Sequence, residues 1–209
     1  MLKWLDKDKG FKFNEKYIEN KVGFLVRKES NTLRKGTIVI FITVGTQKFQ
    51  FNRLLKEVDK LIEEKKITEE VFAQIGYCDY KPKNYSYKNF IDRDEYENTI
   101  KKCQKVITHG GTGAIVGAVK QGKKVIAIPR LKEFGEHVDD HQIQIVSEFK
   151  KIGFIVGIES ADMLGKAIDD INKIDLKEYI SNTHNIIAEI EKFIEKLKIK
   201  GLKSKDIFK

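Results

Sequence analysis

Residues 37–44, Thr-Ile-Val-Ile-Phe-Ile-Thr-Val, form a continuous apolar and β-branched run of the length of one strand. A run that is apolar at consecutive positions is typical of a strand buried on both faces, as in a parallel sheet. Gly45 interrupts the run, and apolar residues then recur at helical spacing from Leu54 to Ile62. We therefore expect the folded core to begin with a strand, a turn and a helix.

The same alternation continues to about residue 175. Strands are predicted at 71–76, 85–90, 106–108, 124–128 and 154–156, and helices at 93–103, 114–121, from Asp139 or Asp140 through Phe149, and 164–171. This order predicts an α/β fold with a Rossmann-like, doubly wound and mostly parallel sheet over residues 37–175. Residues 1–36 are interpreted as an N-terminal extension of unknown role, and residues 176–209 as a lysine-rich helical segment.

The C-terminal segment predicts an amphipathic helix whose apolar residues share one face: Ile186, Ile187, Ile190, Phe193, Ile194 and Leu197. Two interpretations are open. The face either docks a partner or packs back on the chain's own sheet.

The net charge of +9 is concentrated at the two ends of the chain. Residues 1–36 hold 10 basic and 5 acidic side chains, residues 192–209 hold 7 and 2, and the region between them holds 23 and 24. A nucleic-acid-binding domain carries its basic residues on the folded reading surface, so no nucleic-acid partner is expected, although a basic RNA-binding α/β protein is a distant alternative. Basic ends suit an anionic membrane surface or a partner, and equally suit solubility alone.

The sequence predicts a cytoplasmic protein. The apolar runs are shorter than the roughly 18 residues of a membrane-spanning helix, and the N-terminus lacks the pattern of a secretory signal. Cys78 and Cys103 form no Cys-x-x-Cys pair and are interpreted as reduced thiols.

A glycine-rich turn, His109-Gly110-Gly111-Thr112-Gly113, joins a predicted strand to a predicted helix. Bare backbone N–H groups and the positive end of the helix dipole favour an anion such as a diphosphate at such a turn. The glycine spacing matches neither the dinucleotide fingerprint nor the P-loop. A simple tight turn is the alternative interpretation.

Two other loops follow strand ends, where open α/β sheets bind ligands. Gly45-Thr46-Gln47 offers a close approach and two polar side chains, and the polar stretch from Pro129 to Gln142 suits a sugar or nucleotide. His137 and His141 have zincin-like spacing, but Val138 replaces the glutamate of that motif, so no metal is expected. The histidines lack an accompanying Gly-x-Ser-x-Gly motif, which argues against a serine hydrolase.

Four motifs occur in a fixed order: Phe41-Ile42-Thr43-Val44-Gly45-Thr46 with Phe51-Asn52-Arg53-Leu54, His109-Gly110-Gly111-Thr112-Gly113, Gly122 through Arg130, and Phe134-Gly135-Glu136-His137 with Asp140-His141-Gln142. With these motifs, residues 38–158 resemble the C-terminal, nucleotide-sugar-binding half of GT-B glycosyltransferases of family 28. The likeness is greatest to the soluble subunit of bacterial exopolysaccharide and capsule glycosyltransferases, and extends to the soluble subunit of the eukaryotic dolichol-linked GlcNAc transferase.

The resemblance implies transfer of a sugar from a UDP-sugar to a lipid-linked acceptor at the cytoplasmic membrane face, with no tightly bound cofactor or metal. It implies a donor site in three parts. Gly110, Gly111, Thr112 and Gly113 would hold the diphosphate; Gly45, Thr46 and Gln47 would line the cleft towards the acceptor half; and Glu136, His137, His141 and Gln142 would contact the donor sugar and its phosphates.

Two departures from the family pattern affect this expectation. Many relatives bind the ribose with a glutamate on the helix after the glycine turn, and the aligned residue here is Gly117. A GT-B enzyme also needs two halves, so the acceptor half, and with it the usual general base, would come from a membrane-anchored partner. His109 and His137 are the catalytic candidates in this chain. The alternative is a non-catalytic activating or UDP-sugar-sensing subunit of the same fold.

Overall fold

A computed structural model describes residues 39–199 of the chain, so the predicted N-terminal extension lies outside the described residues. Six strands are present, β1 Val39–Thr43, β2 Glu70–Gln74, β3 Ser86–Lys88, β4 Lys105–His109, β5 Lys124–Ile128 and β6 Val156–Gly157. Six α-helices accompany them, α1 Asn52–Glu63, α2 Arg93–Lys102, α3 Thr112–Val119, α4 His141–Ile152, α5 Leu164–Ile171 and α6 Thr183–Ile199. Each predicted element of the described region exists, with ends that shift by a few residues.

The strands form one sheet in the order β3-β2-β1-β4-β5-β6, and all five neighbouring pairs are parallel. This order is that of a doubly wound Rossmann sheet, in which the direction of winding reverses between β1 and β4. The carboxyl ends of β1 and β4 meet there, with Thr43 opposite Thr108. The predicted Rossmann-like fold is confirmed, and the reversal creates a crevice at this edge.

Helices cover both faces of the sheet because adjacent residues of a strand point to opposite sides. Ile40 and Ile42 of β1 belong to the core that includes α1 and α5, whereas Phe41 belongs to the core that includes α2, α3 and α4. The predicted helix at 164–171 buries its four apolar residues, Leu164, Ala167, Ile168 and Ile171.

The last strand starts two residues later than predicted. Gly153 ends α4 in a left-handed conformation with φ +90, and the N–H of Phe154 donates to the Phe149 carbonyl at 3.1 Å. This is the usual glycine-terminated helix end. Phe154 therefore belongs to the helix cap, and pairing with β5 begins at Val156.

Helix α6 exposes its apolar face. Ile186, Ile187, Ile190, Phe193 and Ile194 are between 43% and 60% exposed. The interpretation that this face packs on the chain's own sheet is therefore wrong for these residues; the side chain of Leu197 lies outside the described part. Among residues 39–199, the helices all fall short of the length and apolar character that crossing a membrane demands.

Candidate functional site: a cleft at the carboxyl edge of the sheet

A cleft of about 620 Å³ lies where the strand order reverses. The loops after β1, β4 and β5, together with the first residues of α3 and α4, contribute nine of the eleven residues predicted to bind the donor: Gly45, Thr46, Gln47, Gly111, Thr112, Gly113, His137, His141 and Gln142. The catalytic candidate His109 also lines it. Segments almost 100 residues apart in sequence therefore converge on one cavity, because the sheet brings their strand ends together.

The N-terminus of α3 forms one wall of the cleft. Gly111 is the N-cap, and its carbonyl accepts hydrogen bonds from the N–H groups of Ala114 and Ile115, both at 3.1 Å. The N–H groups of the first helical turn, Thr112 and Gly113, have no acceptor within the helix. Together with the helix dipole, they give this wall a partial positive charge suited to an anion.

Two glycines make room for the His109 imidazole. A Cβ atom on Gly111 would lie 2.2 Å from Nε2 of His109, and one on Gly45 would lie 2.7 Å from its Cε1. Gly45 also has φ +78, which a residue with a side chain adopts only with strain. These positions therefore require glycine for the packing of His109.

The hydrogen bonds of His109 determine which of its nitrogens carries the proton. The Thr108 hydroxyl donates to the Thr43 carbonyl at 2.9 Å, so its oxygen can only accept from Nδ1 of His109, which lies 3.3 Å away. The proton is then on Nδ1, and Nε2 is an acceptor. Burial, followed by the nearby positive charge of Arg130, lowers the pKa of His109 from 6.5 to about 4. His109 is therefore neutral at pH 7, with a lone pair on Nε2.

Glu136 is one of the two predicted donor-binding residues that the structure places outside the cleft. Its side chain is 5% exposed, and both carboxylate oxygens accept from Nε of Arg53, at 2.8 and 3.0 Å. The N–H of Leu131 donates to the same carboxylate at 3.1 Å. Glu136 thus holds the loop after β5 against α1. Its carboxylate is already neutralised by Arg53, so its negative charge needs no ligand as a partner.

Gly110 is the second predicted donor-binding residue that lies outside the cleft. It is buried beneath α4, where a Cβ atom would lie 2.8 Å from Cβ of Gln142 and 3.0 Å from Cγ2 of Val146. This close approach lets α4 sit against the glycine turn. Gly110 thus brings the cleft residue Gln142 into place.

His137, Asp139 and His141 form a cluster at the mouth of the cleft. Their potential metal-binding atoms lie within 4.8 Å of one another, and the two imidazole rings are 4.6 Å apart. The histidines do not share a helical face, because α4 begins only at His141. Asp139 contacts Nδ1 of both rings, at 3.3 Å for His137, and accepts from the N–H of His141 at 3.2 Å. Hydrogen bonding to His141 lowers the pKa of the Asp139 carboxyl.

The cleft includes residues that sequence reasoning did not identify: Thr43, Gln74, Ile91, Asp92, Arg93, Tyr96, Ala114 and Ile145. Of these, only Asp92 has a recognisable local sequence signal, that of a helix N-cap. It precedes an acidic first turn and accepts from the N–H of Glu95 at 2.8 Å, as an N-cap does. Asp92 and Arg93, at the N-terminus of α2, therefore also line the cleft.

The fold and this cleft define a Rossmann-like α/β domain with a cavity at the topological switch point, where domains of this fold bind ligands. Residues 39–197 match the glycosyltransferase family 28 C-terminal domain, and the chain belongs to this family. The match extends past residue 158 and includes most of α6, which is thus part of the family domain. No curated protein matches the chain by sequence.

Solved glycosyltransferase structures share the fold over part of their length. The glycotransferase of kitacinnamycin is 15% identical, with a TM-score of 0.50 over 69% of this chain and 39% of that one. SnogD from Streptomyces nogalater is 20% identical (TM-score 0.48, 66% and 35% covered), and MurG from Acinetobacter baumannii is 15% identical (TM-score 0.46, 66% and 43% covered). The chain spans less than half the length of each, and its fold is one Rossmann-like half of a GT-B fold.

Proposed function

We propose that this chain is the donor-binding subunit of a UDP-sugar-dependent glycosyltransferase that acts on a lipid-linked acceptor in polysaccharide biosynthesis. The observation that carries the proposal is the cleft of about 620 Å³ in which the N-terminus of α3 meets Gly45, Gly111 and neutral His109. A diphosphate fits the charge of this wall, and a cavity of this volume suits a nucleotide sugar. Membership of glycosyltransferase family 28 supports sugar transfer as the reaction.

In the proposed reaction, the acceptor hydroxyl attacks the anomeric carbon of the donor sugar. The bond from that carbon to the β-phosphate oxygen breaks, and UDP departs with the electron pair. The N–H groups at the start of α3 stabilise the negative charge that develops on the diphosphate, an effect that is already in place before the reaction begins. The acceptor proton passes to a base on the partner subunit.

The pKa of His109, about 4, favours a binding role for this residue over that of general base. A base is most effective when its pKa lies near the working pH, and an imidazole at about 4 holds a proton weakly. Its Nε2 is well suited to accept a hydrogen bond from a sugar or ribose hydroxyl. His137, at the mouth of the cleft, is the second candidate for a catalytic contact.

The partner in this proposal is a membrane-anchored subunit that supplies the acceptor-binding half. One observation supports it: α6 exposes a row of apolar side chains. The chain would lie at the cytoplasmic face of the membrane through this partner, with its basic ends near anionic lipid. Replacing Phe193 with Glu is expected to abolish copurification with the partner, whereas Lys192→Glu on the same helix preserves it.

We further propose that transfer requires no tightly bound metal. The contacts of Asp139 to both imidazoles account for the geometry of the His137–Asp139–His141 cluster. Stabilisation of the leaving diphosphate by helix N–H groups needs no metal.

A second candidate function is a non-catalytic activating or UDP-sugar-sensing subunit of the same fold. Gly117 favours it, because a glycine gives α3 no side chain where many relatives place a ribose-binding glutamate, although a Cβ atom there would meet nothing within 4 Å. The two functions differ in the reconstituted pair. A catalytic complex loses transfer on substitution of Gly111 or His109, whereas an activating subunit leaves residual transfer by the partner.

The first experiment is isothermal titration with UDP, UDP-GlcNAc, UDP-galactose and UDP-glucose, on the chain alone and with its candidate membrane partner. We expect UDP binding by the chain alone. Thr112→Glu would place a carboxylate against the diphosphate and should abolish binding, while the neutral Thr112→Gln retains most of it. Equal UDP affinity in both variants would refute the placement of the diphosphate.

A further inference from the structure

Arg130 is a buried cation beneath the cleft. It follows β5 directly and is 1% exposed. Its guanidinium donates to the Val44 carbonyl, immediately before the Gly45 turn, and lies 5.6 Å from the centre of the Phe51 ring. Its backbone N–H donates to Oε1 of Gln142 at 3.1 Å. Arg130 therefore contacts two segments that form the cleft: its guanidinium contacts the residue before the Gly45 turn, and its backbone contacts Gln142 of α4.

The positive charge of Arg130 is not neutralised within the described residues. No carboxylate of residues 39–199 lies within ion-pair distance of its guanidinium, and its Nε is buried there without a hydrogen-bond partner. Two acids act on it electrostatically. Cys78, which has the larger effect, is a thiol whose pKa is raised by burial, so it stays uncharged at pH 7, and Glu136 is already paired with Arg53. A buried charge without a counterion is unfavourable, so an arrangement of this kind calls for an explanation.

The field of this charge reaches the cleft. Arg130 is the second-largest cause, after burial, of the lowered pKa of His109, whose ring lines the cleft. Buried charges interact over longer distances than surface charges do, because the effective dielectric constant around them is lower and salt screens them less. An anion in the cleft would therefore be attracted by Arg130 without touching it.

We propose that Arg130 is the buried counter-charge for the anionic part of the cleft ligand, acting through the floor of the cleft on the diphosphate group. This inference rests on the proposed donor-binding function. In the absence of ligand the guanidinium lacks a counterion among the described residues, and a bound diphosphate supplies one. Arg130 thereby selects for ligand charge, whereas the shape of the cleft selects for the nucleoside and the sugar.

The test compares ligands that differ only in charge. Uridine, UMP and UDP are titrated into the wild type, Arg130→Met, Arg130→Gln and Arg130→Lys, with folding checked by thermal denaturation. In both neutral variants we expect the affinity for UDP to fall about tenfold, that for UMP to fall less, and that for uridine to stay within about twofold. Arg130→Lys retains the charge and should recover most of the UDP affinity. Arg130→Gln keeps a donor for the Val44 carbonyl, and serves if Arg130→Met does not fold.

The outcomes separate this inference from the proposed function. If a folded neutral variant binds UDP with the same affinity as the wild type, the role of Arg130 is overturned and the proposed donor binding stands. Equal weakening of all three ligands would also overturn it, because a structural defect does not sort ligands by charge. A wild-type chain that binds UDP neither alone nor with the partner would overturn both.

Discussion

The cleft and helix α6 differ in where their contacts come from. In the cleft, the chain supplies its own supports: Thr108 orients His109, and Arg53 holds Glu136. On α6, the apolar residues from Ile186 to Ile194 are exposed, and their row has no comparable cover in the part of the chain that the structure describes. The comparison indicates that the cleft is held in shape by contacts within the described residues, whereas the apolar face of α6 is left exposed there.

The largest expected effect separates α6 from the helix that precedes it. Ile168→Ala on buried α5 removes one methylene and two methyl groups from the core and should lower the free energy of unfolding by about 2–5 kcal/mol. Ile190→Ala on exposed α6 should change it by less than about 0.5 kcal/mol. Urea denaturation of the isolated chain measures both. A comparable loss in the two variants would mean that α6 packs within the chain, and the contrast between the regions would fail.

The next effect concerns the interior of the cleft and depends on pH. The folded chain holds His109 with a pKa of about 4, below its ordinary 6.5, so the folded state binds fewer protons than the unfolded state between these values. The contribution of His109 is fully present above pH 6.5 and is lost as the pH falls towards 4. Linkage predicts a loss of about 2 kcal/mol by pH 5.

Chemical denaturation at pH 7 and pH 5 measures this loss, with His109→Gln as the matched variant. Other groups titrate in the same range, so the quantity of interest is the difference between the two proteins. The variant should lose less stability between the two pH values than the wild type. Parallel losses would show that His109 titrates normally and is not held neutral by the cleft.

A smaller effect tests the fit of the imidazole between the glycines. Gly111→Ala places a methyl group 2.2 Å from Nε2 of His109, so the ring or the turn must move, and UDP affinity should fall at least about tenfold, or about 1.4 kcal/mol. Gly117→Ala, on the same helix with nothing within 4 Å of the new Cβ, is the control. It should bind UDP like the wild type. Calorimetric titration of both variants decides whether close packing at the turn matters for the ligand.

Local sequence patterns predicted the elements but not the supports of the site. The apolar run of β1 and the glycine turn before α3 depend on neighbouring residues, and both were found as predicted. The pair of Arg53 with Glu136 joins residues 83 positions apart, and no local signal reveals it. A charged residue after a strand end is ordinarily expected at the surface, but Arg130 is buried, with its guanidinium against the Val44 carbonyl and the Phe51 ring. The position of the site loops along the sheet edge was therefore predictable, whereas the burial of Arg130 and the pairing of Arg53 with Glu136 were not.

The smallest expected effect sharpens the comparison at the mouth of the cleft. If Asp139 serves to orient His137 and His141 and no metal is held there, treatment with a chelator followed by dialysis should leave UDP affinity unchanged within about twofold. Asp139→Asn keeps a side-chain acceptor for the N–H of His141 and should likewise have little effect. Added zinc that tightens UDP binding in the wild type, but not in Asp139→Asn, would contradict this. The cluster would then be a metal site, and the cleft, like α6, would depend on a component from outside the chain.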